Sequence, residues 1–108
     1  MNVDRLGGPT YDLEEAKELA REGHLYVTGA ARKAAFGIDL EIGDILAVLY
    51  SLGPGDFYKT MEAVKLPGSF QDVYRPTYHG IQLYYKIQIQ ALSKRTVIII
   101  DCKLLNEE

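Results

Sequence analysis

One cysteine and two histidines in 108 residues exclude much of the usual chemistry of small proteins. Cys102 alone cannot form an intramolecular disulfide, and two histidines provide no zinc-ligand spacing, so a reaction run by this chain is expected to need no metal and no cofactor. No apolar run reaches the roughly 18 residues of a membrane-crossing helix. The opening MNVDRLGGPTYD lacks the basic and then apolar regions of a signal peptide, which predicts a cytoplasmic protein with no membrane partner. There is no low-complexity tract and no internal repeat, and the P-loop, GxSxG and HExxH patterns are all missing. The commoner enzyme classes are thereby removed.

What remains is an ordinary globular composition, 47% hydrophobic and 25% charged, in a length suited to one core. We expect a single domain over residues 1–108, with 1–9 as a flexible arm marked by Gly7, Gly8 and Pro9. The net charge of −3 hides an asymmetry. Residues 1–55 carry nine acids against five bases, net −4, whereas residues 56–108 carry seven bases against six acids, net +1. The second half is therefore electrostatically open to an anionic partner such as RNA.

The hydrophobic period divides the chain in the same place. Asp12, followed by Glu15, has the spacing of a capping box, and Leu13, Ala16, Leu19 and Ala20 share one face of a helix over 13–22 that Gly23 stops. Residues 25–27 form a short strand. An alanine-rich helix follows to Phe36, and a third carries Ile42, Ile45, Leu46 and Leu49 as far as about residue 52. Gly53, Pro54 and Gly55 break it. Beyond them the period is two: strands are expected over 57–64, whose opening DFYK could instead be a helical turn, and over 70–75, 81–91 and 96–105, with a turn at 66–68. In the third of these, Leu83, Tyr85, Ile87 and Ile89 face one way and Tyr84, Lys86, Gln88 and Gln90 the other. Helices first and a meander afterwards predict an α+β fold, with the N-terminal helices packed on one face of an antiparallel sheet.

The segment 56–86 concentrates side chains that move protons or clamp anions. Cleaving RNA without a metal requires a group that takes the ribose 2′-OH proton, one that holds the phosphate's growing charge, and one that protonates the departing 5′ oxygen. Lys59 and Arg75 suit the phosphate, Tyr58 and Tyr84 can exchange protons or stack on a base, and the Gln71 amide can position a group. Each also has a plainer reading. Lys59 could be a solvated strand lysine, Arg75 a surface partner of Asp72 or Asp56, Met61 core filler, and any of the eight tyrosines ordinary packing. His79, after Pro76, reads as a loop residue, and His24 as a cation near a helix C-terminus.

Two blocks, DFYKTM at 56–61 and QDVYRP at 71–76, followed by Tyr84 and Lys86, resemble the motility quorum-sensing regulator (MqsR) toxins, including the intervals from Lys59 to Gln71 and from Gln71 to Tyr84. The resemblance is carried mainly by the second half of the chain. It implies a compact fold like that of the RelE and YoeB toxins, with the sheet face as the RNA surface. It also implies the activity of a toxin that cleaves single-stranded mRNA, with a cognate antitoxin as partner and no DNA binding of its own. The family's catalytic Lys, Gln and Tyr fall on Lys59, Gln71 and Tyr84, with Tyr58, Met61 and Arg75 as substrate-binding positions. The alternative is a catalytically weak RNA- or protein-binding module of the same fold. The sequence departs from the family in its low basic charge, and in Thr10 and about Ala91 where histidines are sometimes found.

Overall fold

The computed structural model describes residues 7–107, so most of the arm expected over 1–9 lies outside the described residues. The first helix, α1 (Leu13–Arg21), starts where Asp12 accepts a hydrogen bond from the Glu14 amide. The reciprocal half of the expected capping box is not made. Glu15 instead reaches strand β6, where its carboxylate takes two bonds from Arg95 at 2.6 and 3.2 Å; β6 spans Arg95–Leu104. Strand β1 (Leu25–Val27) leads into α2 (Gly29–Phe36), whose N-cap Thr28 accepts from the Ala31 amide. Helix α3 (Ile42–Ser51) opens on a capping box in which Asp44 accepts from the Glu41 amide. The Gly-Pro-Gly break then becomes a 3₁₀ turn, Pro54–Asp56.

The remaining strands are β2 (Phe57–Glu62), β3 (Phe70–Tyr74), β4 (Thr77–Tyr78) and β5 (Ile81–Ala91). In the sheet order β1-β6-β5-β3-β2, the strands β2, β3, β5 and β6 form the antiparallel meander, but β1 pairs with β6 in parallel. The sheet is therefore mixed rather than antiparallel throughout. The parallel pair needs a crossover, supplied here by everything between β1 and β6, beginning with α2. Strand β4 lies off this path. It pairs with β5 through a two-residue turn, His79-Gly80, in which both residues have positive φ as a tight hairpin demands.

All three helices cover one face. Ala16 and Leu19 of α1, Ala31 and Ala35 of α2, and Ile45, Val48 and Leu49 of α3 pack against Leu83, Tyr85, Ile87, Val97, Ile99 and Cys102. Each large side chain buried this way contributes about 1.5–3 kcal/mol. Polar ties fix the layers where apolar packing is indifferent to register. The Tyr85 hydroxyl donates to the Ile45 carbonyl at 2.8 Å, and the Lys17 ammonium donates to the Leu52 carbonyl at 2.6 Å. The segment leading into α1 is held by Asp72 of β3, whose buried carboxylate accepts the amides of Thr10 and Tyr11 at 2.9 and 2.8 Å. Thr10 also shares a hydrogen bond with the Thr60 hydroxyl on β2. The Tyr74 hydroxyl, buried beside this cluster, finds no hydrogen-bond partner among the described residues, and burial raises its pKa.

Candidate active site

The other face of the sheet carries the residues of interest, and register explains how they meet. Lys59 and Met61 on β2 point the same way because side chains alternate along a strand. Their partners across β3 are Val73 and Gln71, and Val73 in turn pairs with Lys86 on β5. Tyr84 shares the face of Lys86 and pairs with Lys103 of β6. Side chains that are distant in sequence thus occupy neighbouring lattice points, with strands about 4.8 Å apart.

Tyr84 is the hub of this surface. Its phenol leans across β3, bringing its oxygen 4.0 Å from the Met61 sulfur on β2. The Lys86 and Lys103 ammonium groups lie 5.6 and 5.1 Å from its ring centroid. The ring is only 5% exposed, and Met61, Lys86 and Lys103 of this same face lie against it. Val73 beneath this layer is fully buried and stands apart from the helix-side core. The face is therefore a packed floor topped by cations and a thioether.

At the Phe57 end, Tyr58 occupies an irregularity in the β2–β3 register between Phe57 and Lys59. Such a bulge re-aims a side chain. The Tyr58 ring, 45% exposed, receives the Arg75 guanidinium at 4.2 Å and the Lys59 ammonium at 5.4 Å. An aromatic shelf edged by two cations suits a base with its phosphate. The Arg75 amide donates to the Asp56 carbonyl, tying this corner to the 3₁₀ turn. Of the two carboxylates offered as partners for Arg75, Asp72 is already occupied on the helix side by the Thr10 and Tyr11 amides.

Lys59, Met61, Gln71 and Tyr84 thus share one face, and Tyr58 and Arg75 border it. His79 is a turn residue, its ring edge-on to Tyr78 at 4.3 Å. Thr10 lies behind the sheet, supporting β2. Lys103 and Asp101, by contrast, were not legible as neighbours of Tyr84, because the apolar run before them conceals the parity of β6. The one available signal was that Asp101 and Lys103 share a face with each other. Among the described residues, no three His, Cys, Asp or Glu side chains gather as a metal-ligand set, and no helix is long and apolar enough to cross a membrane.

Comparison with known proteins bears on the family of the chain. Residues 8–103 match the family described as motility quorum-sensing regulator, toxin of MqsA. The mRNA interferase toxin MqsR of Escherichia coli (strain K12) is 32% identical over 81 residues, which is 75% of this chain and 83% of that protein.

Proposed function

Since this chain belongs to the MqsR toxin family, we propose that it is an endoribonuclease that cuts single-stranded mRNA without a metal, by attack of a ribose 2′-OH on the adjacent phosphate. The observation that carries this reading is the gathering of Lys59, Arg75 and Tyr84 around one uncovered sheet face, with Tyr58 as a shelf. As the O2′–P bond forms and the P–O5′ bond breaks, negative charge grows on the non-bridging oxygens. Lys59 and Arg75 offset it, Arg75 through a two-pronged contact that lysine cannot make. Tyr84 relays the proton lost by the 2′-OH to the departing O5′, and the Gln71 amide fixes the nucleotide. Met61, against the Tyr84 oxygen, and Tyr58 contact the substrate's apolar and aromatic surfaces. A cognate antitoxin restrains the activity in the cytoplasm.

Incubating the purified protein with mixed RNA and mapping the new ends tests this. Products should carry 2′,3′-cyclic phosphate and 5′-hydroxyl termini, cleavage should persist in EDTA, and deoxyribose at the cut position should abolish it. Cleavage of the deoxyribose-substituted strand at an undiminished rate would refute attack by the 2′-OH.

A further inference from the structure

Alternation carried on from Ile98 would place Ile100 and Cys102 on the open face and turn Asp101 and Lys103 into the core. The structure does the reverse. Lys86 pairs with Asp101 and Ile87 with Ile99, so Ile100 is an extra residue that shifts the parity of all that follows. The bulge is held from behind: the Thr28 hydroxyl donates to the Ile100 carbonyl and the Thr28 amide to the Ile99 carbonyl, each at 3.0 Å. The N-cap of α2 therefore sets the direction of two side chains on the opposite face. Asp101 arrives 3.4 Å from the Lys86 ammonium and 4.0 Å from that of Lys103, both of which flank Tyr84. Two cations share one carboxylate, which leaves a net positive group pinned over the ring.

We propose that Lys86 and Lys103 form a second phosphate-binding subsite, taking a backbone phosphate of the single-stranded RNA next to the one that is cut. Asp101 is its positioning residue. The inference rests on the endoribonuclease reading and extends it. Lys59 on β2 and Lys103 on β6 are three strand spacings apart, roughly 14 Å, so one phosphate cannot touch both. A strand of RNA crossing the sheet meets Arg75 and Lys59 first and the lysine pair next, with Tyr84 between. Asp101 limits the wandering of two long side chains, so that less freedom is lost when phosphate arrives.

The test is binding of a fluorescent, fully 2′-O-methylated single-stranded RNA, which cannot be cut, measured over a salt series, beside cleavage of the all-ribose strand by the wild type. Lys103→Ala should weaken binding about threefold to tenfold at low salt and flatten the slope of log K against log salt by about 0.7, the share of one phosphate contact. Lys103→Arg should restore both, and thermal midpoints should match. Asp101→Asn should also weaken binding, against the direction that removal of a negative charge alone dictates. A wild-type slope and affinity in Lys103→Ala overturn the subsite, and tighter binding by Asp101→Asn overturns the positioning role. If the wild type cuts RNA while Lys103→Ala binds unchanged, only the subsite falls. If the wild type never cuts while Lys103→Ala still weakens binding and flattens the slope, the nuclease reading falls and the lysine pair stands only as an RNA-phosphate site.

Discussion

Tyr84 and Tyr85 are neighbours on one strand and both are buried, yet they belong to different worlds. Tyr85 points into the helix layer, where its hydroxyl is committed to the Ile45 carbonyl and burial drives its pKa well above the usual phenol range. Tyr84 points the other way, against Met61 and the Lys86 and Lys103 ammonium groups of the open face. Low exposure alone therefore does not separate a structural phenol from one proposed to move a proton. The neighbours do: a backbone carbonyl of the helix layer in one case, side chains of the open face in the other.

The most severe way to challenge this division is to strip the open face of its key cation. Lys59→Ala should reduce cleavage at least about a hundredfold while leaving the melting temperature unchanged, because the group serves the transition state and not the core. A variant cutting at the wild-type rate would remove Lys59 from the mechanism. The two tyrosines offer a more discriminating comparison. Tyr84→Phe should slow cleavage by at least about tenfold with little change in stability. Tyr85→Phe should do the opposite, costing about 1–3 kcal/mol in denaturant titration because the Ile45 carbonyl loses its buried donor. Equal effects of both on stability would erase the distinction.

A smaller effect is expected in acid. Asp44 has its pKa lowered by the Glu41 amide and then by the Tyr78 hydroxyl. A carboxylate with a depressed folded-state pKa stabilises the fold fully above its unfolded value of about 4, and that contribution is lost as pH falls through the folded pKa. Thermal melts from neutral pH downward should show a weaker acid dependence in Asp44→Asn, which keeps the shape but cannot titrate. The smallest effect belongs to Cys102 on the helix side, whose thiol is pushed up to about 12, chiefly by burial and then by Asp101. Alkylating reagents at mildly basic pH should leave it unlabelled until the protein unfolds.

Most of the scaffold could be read from the chain because local chemistry and tertiary demand agree there. The helix stops, the 3₁₀ break and the full span of β5 follow from glycine, proline and clean alternation, and β5 alone was enough to set Tyr84 opposite Tyr85. Strand β2 ends at Glu62, and β3 at Tyr74 before the Arg75-Pro76 step, both short of the spans expected. Three features were beyond reach. The parallel partner of β1 is chosen by the crossover, and the two-residue β4 exists only because its turn lets it pair with β5. The bulge in β6 sits in a run of isoleucines that would be apolar in either register, so nothing local marks it. That is why Lys103 and Asp101 came into view only with the fold.

Strand β6 is flanked by the first strand of the sheet on one side and β5 on the other. It closes loops spanning most of the chain, the kind of contact that forms late because its entropic cost comes before its reward. Asp101 and Lys103 swing into place only as that closure is made. A molecule caught before it would already pair β2, β3 and β5, with Lys59, Gln71 and Tyr84 on them, and would lack only the end of the face that Asp101 and Lys103 supply.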